Sequence, residues 1–306
     1  MVVAKTRWRL LIQTMNSNET TLRIGGVPEH FNLPWQLAAE RDIFSSHQIN
    51  MAWTVYAGGT GAMTKALQSG ELDVAILLTE GFLAAAHQGL KAKIAKVYID
   101  TPLVWGIYSG SGSRITELSH ADRPKMAISR LGSGSHLMAT IDAHQRGASF
   151  KEDQWVIVNS LHGAMESLAR NETHYFYWEK FMTRPFVQQG IVNLVGEFSA
   201  PWSSFLIVVS EHALATKADK IQTMLQVMNA ECISFKQDNA SPIYLGKRFD
   251  MSLAEARQWL RTTQWNYDYR VHLEYLSNAR AALANAQLCD PHLDLAKLCA
   301  PWVVLG

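Results

Sequence analysis

The side chains able to do chemistry in this sequence gather just after short apolar runs. Glu29 follows Leu22–Val27, Glu80 follows Asp73–Leu78, and Trp178 and Glu179 close an aromatic run that begins at His174. Thr60 comes after Gly58 and Gly59, while Ser133, Ser135 and His136 come after Gly132. Carboxylates drawn together out of water are costly unless a cation or a donor-rich group compensates them. The three glutamates therefore point to an amine, amidine or aminopyrimidine on a ligand. The alternative is that one or more, Glu179 above all, pairs with Lys180, Arg184 or a backbone N–H. Thr60, Ser133 and Ser135 stand where helices begin, and the free N–H groups and positive end of a helix favour a carboxylate, sulfonate or phosphate. Read plainly, the same hydroxyls are ordinary helix caps. Trp105, Trp178 and Trp202 offer flat walls for a ring, or simply core.

Motifs for catalysis and for cofactors are missing. Gly59-Thr60-Gly61 and Gly132-Ser133-Gly134 each begin a GxGxxG, but Thr64 and Leu137 occupy the place of the last glycine. No GxxxxGK[ST], HExxH or GxSxG occurs. Cys232, Cys289 and Cys299 are the only cysteines. That odd, sparse set suits a reducing compartment rather than a disulfide framework. Cys289, His292 and Cys299 lack the paired spacing of a zinc site. The expectation is a binding protein with no cofactor and no metal, not an enzyme.

Composition narrows the partners. A net charge of +1 across 306 residues, without a basic run or acidic tail, argues against nucleic acid or an anionic membrane surface. Specificity must then come from a local site for a small molecule. Lys5, Arg7 and Arg9 are followed by only Leu10, Leu11 and Ile12 before Gln13, short of the apolar core of an export signal. As written, the sequence reads as cytoplasmic, or as periplasmic if its start is truncated, and no run is long enough to enter a membrane. Oligomeric state is not legible.

The elements that must position these residues alternate strand and helix. Strands are expected at Leu22–Val27, Met51–Tyr56 and Asp73–Leu78, with helices at Leu33–Ile43 (Asn32 as cap, Pro34 in the first turn) and Thr60–Gln68. The pattern returns with strands at Lys125–Arg130, Trp155–Asn159 and His174–Trp178, and Leu67…Glu71…Leu77 has a counterpart in Leu168…Glu172…Tyr177. Two apolar stretches, 99–108 and 192–210, are broken at Thr101-Pro102 and Ser199-Ala200-Pro201, as paired crossovers would be. Helices are expected at Lys217–Phe235, Ser252–Thr262 and Tyr267–Ala286, packed on the first lobe, with Ser252 and Glu255 as a capping box. The fold class is α/β: two lobes of mixed sheet flanked by helices, joined by two crossovers. Residues 1–102 and 203–306 would form one lobe and 103–202 the other.

Five phrases carry a family resemblance: LRIGGVPEHFNL (22–33), GELDVAILLTEG (70–81), SRLGSGSHLMA (129–139), FYWEKFMTRPF (176–186) and APWSSFLIV (200–208). The first two resemble the nitrate, sulfonate and taurine substrate-binding proteins. The others resemble a signal-less branch related to the pyrimidine-synthase-like proteins of thiamine biosynthesis. The resemblance implies a type II periplasmic-binding-protein fold that closes on a small anionic or heteroaromatic metabolite. It implies an ABC-transporter permease as partner if the chain is exported; the alternative is an enzyme of cofactor biosynthesis on the same fold. By match to the family's loops, the ligand contacts would be Glu29, His30, Thr60, Thr79, Glu80, Ser133, Ser135, His136, Trp178, Glu179 and Trp202. The cysteine-rich cluster of the thiamine-pyrimidine enzymes is missing, so their chemistry does not carry over.

Overall fold

The computed structural model describes residues 21–115, 117 and 123–306. The charged stretch around Lys5–Arg9 lies outside them. The first sheet contains β1 (Thr21–Gly26), β2 (Asn50–Val55), β3 (Val74–Leu78) and β4 (Ala92–Ile99). The second contains β5 (Val104–Gly110), β6 (Met126–Ile128), β7 (Trp155–Ile157), β8 (Tyr175–Glu179) and β9 (Val192–Ser199), after which β10 (Phe205–Ser210) returns to the first. Strand orders are β2-β1-β3-β10-β4 and β7-β6-β8-β5-β9. These are one pattern written twice, with three parallel strands followed by two more, the fourth antiparallel to both of its neighbours. The fourth strand of each sheet is reached through a crossover, β4 to β5 on the way out and β9 to β10 on the way back.

Residue type explains which strands are central. Val74–Leu78 and Phe205–Ser210 are buried along their whole length, as strands covered on both faces must be. β2 and β9 carry exposed positions and sit on edges. Helices fill the connections within each lobe: α1 (Leu33–Glu40), α2 (Gly59–Gln68), α3 (Thr79–His87), α4 (Gly134–Gln145), α5 (Leu161–Ala169) and α6 (Lys180–Gln188). The C-terminal region adds α7 (Glu211–Gln237), α8 (Ser241–Phe249), α9 (Leu253–Thr262) and α10 (Leu273–Asn285). The internal repeat extends to backbone detail. Gly70 (φ +75°) and Asn171 (φ +53°) turn the chain through the left-handed region at matching places before β3 and β8, a conformation open to glycine and tolerated by asparagine.

Several expectations need correction. Asn32 does not cap α1; its Nδ2 donates to the Val27 carbonyl (3.0 Å) and pins the loop after β1. The helix expected from Tyr267 begins at Leu273, because Arg270–Val271 pairs instead with Val304–Leu305. That partner is more than thirty residues away and invisible to local periodicity. The C-terminal helices reach both lobes rather than the first alone. Arg184 and Gln188 of α6 bind Glu255 in the first turn of α9 (2.8 and 3.0 Å), and α10 packs against both α3 and α4. The Ser252–Glu255 capping box is formed as expected. Helix α7 bends at Lys217 (φ −134°), whose ammonium reaches buried Asp73 (3.0 Å) beside Arg23. No helix among the described residues is long and apolar enough to cross a membrane.

Candidate functional site

The C-terminal ends of β1, β3, β6 and β8 converge on a cavity of about 220 Å³ between the two sheets, walled by Val27, Leu78, Ser129 and Glu179. Ligand sites in open α/β sheets form at such strand ends. The first turns of three helices also open onto it: α2 at Gly58–Thr60, α4 at Ser133–Ser135 and α5 at Ser160–His162. Trp105, Trp178 and Phe205 give it flat apolar sides. Gly134 is required for that wall, since a Cβ there would come within 2.5 Å of the Trp105 ring and 2.9 Å of Leu78.

Six of the residues expected from sequence line this cavity: Glu29, Thr60, Ser133, Ser135, Trp178 and Glu179. The hydroxyls are committed to the frame. Thr60 Oγ1 accepts from the Leu78 N–H (3.1 Å), tying α2 to the end of β3. Ser135 Oγ accepts from the Ser129 N–H (3.0 Å) and lies 2.9 Å from Ser133 Oγ, which caps α4. They hold helix N-termini in place, and it is the backbone N–H groups there that remain for a ligand.

The other five lie elsewhere, each for a physical reason. His30 is buried in an aromatic box, stacked on Trp259 (4.6 Å between centroids) and edge-on to Phe31 and Phe181. Neither ring nitrogen has a hydrogen-bond partner, and burial holds the imidazole down to about 3. Thr79, Glu80 and Trp202 brace the crossovers. Thr79 Oγ1 donates to the Ser203 carbonyl (2.5 Å), and the Trp202 indole donates to Glu80 (2.9 Å). Ser204 Oγ on the same segment donates to Thr101 in the other crossover (2.8 Å). Burial pushes Glu80 up to about 7, outweighing hydrogen bonds from its own backbone N–H and from Trp202. His136 folds back onto its own turn, where its Nδ1 accepts from the Gly132 N–H (3.1 Å).

The main residue that sequence reasoning missed is Arg130. Its guanidinium crosses from the second lobe to the first turn of α2, where a Cβ on Gly61 would come within 2.9 Å of Nε and one on Gly58 within 3.5 Å of a terminal nitrogen. It forms no ion pair with any described residue, Nε is buried without a partner, and burial lowers its proton affinity. The glycines Gly58, Gly59 and Gly61 were the available signal, of which Gly59 and Gly61 were read instead as an incomplete GxGxxG motif.

The two lining carboxyls also lack a cation. Burial pushes Glu29 up to about 7, and burial with the neighbouring Glu29 charge pushes Glu179 up to about 8. Glu179 Oε2 accepts from the Met182 N–H (2.7 Å) and lies 3.7 Å from His30 Nε2. Lys180 and Arg184 are engaged elsewhere, with Glu197 (2.7 Å) and Glu255 (2.8 Å). Of the three partners named for Glu179, the backbone N–H is therefore the one found. The Cys289 and Cys299 thiols lie near the carbonyls of Asp290 and Leu295. No cluster able to hold a metal ion occurs among the described residues.

Two similar sheets, two crossovers and a cavity between strand ends define a two-lobed α/β fold with its cavity between the lobes. Residues 105–198 match the family described as Ca3427-like PBP. Among solved structures, the chain is similar to the Candida albicans CA3427 gene product, described as defining a family with the generic periplasmic binding protein fold. Identity is 25% and the TM-score 0.79, over 88% of this chain and 90% of that one. It is similar in fold to the alkanesulfonate-binding protein SsuA from Xanthomonas axonopodis pv. citri bound to MOPS (14%, TM-score 0.76, 94% and 99%). It is likewise similar to the periplasmic nitrate-binding protein NrtA from Synechocystis PCC 6803 (12%, TM-score 0.63, 91% and 84%). No curated protein matches the sequence. The chain shares the periplasmic-binding-protein fold of these structures.

Proposed function

We propose that this protein is a solute-binding protein that closes its lobes on a small anionic metabolite bearing a ring, in the manner of the substrate-binding proteins of ABC transporters. The observation that carries this is Arg130. A guanidinium resting on the N-terminal turn of α2 sets positive charge against the positive end of a helix. With no carboxylate beside it, the arrangement is unfavourable until an anion enters between them. The α4 and α5 N-termini open onto the same cavity, and Trp105, Trp178 and Phe205 suit a flat ring. Sulfonate and nitrate in the descriptions of structural neighbours agree with an anionic ligand. Since Arg130 and Trp178 come from one lobe and Gly58–Thr60 and Phe205 from the other, a ligand touching both favours the closed state. A permease of the ABC type would be the partner receiving the solute.

The test is a thermal-shift screen of the full chain against aliphatic and aromatic sulfonates, carboxylates and phosphates, repeated on Arg130→Gln. A ligand at about 100 times its dissociation constant adds roughly 2.7 kcal/mol. Saturable stabilisation by aromatic anions that Arg130→Gln abolishes is the expected result. Equal shifts in both proteins would defeat the proposal.

A further inference from the structure

The anion reading leaves the other polar end of the cavity unexplained. Glu29 and Glu179 meet there from opposite lobes. The Glu29 carboxyl has no hydrogen-bond partner among the described residues, and Glu179 has one oxygen on the Met182 N–H. The residue behind them, His30, is buried with both ring nitrogens unpartnered and held neutral. The cations nearest in sequence are paired with Glu197 and Glu255. Among the described residues Arg130 is the one lysine or arginine lining the cavity, and it forms no ion pair or hydrogen bond with either carboxyl. One apolar cavity thus contains an unpaired cation and a carboxyl pair that do not neutralise each other.

We infer that the site takes a two-ended ligand: an anionic group between Arg130 and the first turn of α2, and an amine or amidine N–H donor received by Glu29 and Glu179. This rests on the solute-binding reading and narrows its substrate class to ring-bearing molecules with both functions. Such a ligand supplies each set of buried groups with the partner the protein withholds, and it couples the two lobes at both ends of the cavity. An anion without the donor satisfies one end only, and a cation without the anion leaves Arg130 facing a helix N-terminus.

The experiment uses a matched pair of probes, 4-(aminomethyl)benzenesulfonate and 4-methylbenzenesulfonate, titrated calorimetrically into the full chain and into Glu29→Gln, Glu179→Gln and Arg130→Gln. The aminomethyl probe is expected to bind at least about 10-fold tighter than its methyl counterpart, which lacks the nitrogen; that is the scale of a hydrogen bond to a charged group. That gap should collapse in both glutamate variants while the methyl probe keeps its affinity, and Arg130→Gln should weaken both probes together. The Glu29 carboxyl makes no hydrogen bond with any described residue, so Glu29→Gln tests the donor end even if Glu179→Gln does not fold. A methyl probe that binds through Arg130 as tightly as the aminomethyl probe overturns the two-ended ligand and leaves the anion site standing. Binding of neither probe overturns both.

Discussion

Glu80 offers a way to test the electrostatics of the structure without any ligand. Its carboxyl is buried at the crossovers, away from the cavity, with one oxygen accepting from Trp202 (2.9 Å) and the other unpartnered. Burial raises it from 4.5 to about 7 despite the hydrogen bonds that pull the other way. Between those two values the native state keeps a proton that the unfolded chain has released. The free energy of unfolding must therefore fall as pH rises across that window and level off above it. At about 1.4 kcal/mol per tenfold change in proton affinity, the penalty at pH 8 is on the order of 3 kcal/mol, and it is absent below pH 4.5. Glu80→Gln keeps an acceptor for Trp202 and removes the charge. Urea unfolding of both proteins at pH 5 and pH 8 is the assay. The variant should gain on the wild type by roughly 2–3 kcal/mol between the two pH values, through a smaller loss of its own. Glu29 and Glu179 contribute to both curves and cancel in the difference. Parallel pH curves would refute the assignment of a neutral, buried Glu80.

Other substitutions probe the frame. Asp73→Ala leaves Lys217 and Arg23 without their buried partner, and urea unfolding should show a loss of about 3–5 kcal/mol. Gly134→Ala drives a methyl into Trp105 and Leu78, which should destabilise by about 1–3 kcal/mol in the same assay and shift Trp105 fluorescence. Arg130→Gln should weaken binding of an aromatic sulfonate about 10- to 150-fold by calorimetry, from the roughly 1.5–3 kcal/mol of a charge-assisted hydrogen bond.

The sheets were legible because their central strands announce themselves. Val74–Leu78 is an unbroken apolar run, Phe205–Ser210 is apolar up to its final serine, and the crossovers coincide with Thr101-Pro102 and Ala200-Pro201. The site was only half legible. Glu80 and Glu179 look alike in sequence, since each follows a buried strand, yet the internal repeat matches Glu179 to Leu78 rather than to Glu80. Leu78 and Glu179 end their strands and face the cavity, whereas Glu80 lies within the first turn of α3 and swings toward the crossover. His30 was misread because only the tertiary fold brings Trp259 and Phe181 around it. Arg130 was missed because a single arginine after a strand has no periodicity. Its meaning comes from glycines of the other lobe, about seventy residues earlier.

The central claim is that the cavity between the lobes is an anion-binding site completed by Arg130. Its most direct test is a crystal structure of the protein with the strongest hit from the anion screen. The account predicts the anionic oxygens within hydrogen-bond reach of the Arg130 guanidinium and of the backbone N–H groups at the start of α2, with the ring between Trp105, Trp178 and Phe205. A ligand bound outside this cavity, or one that turns its anionic group toward Glu29 and Glu179, would contradict it.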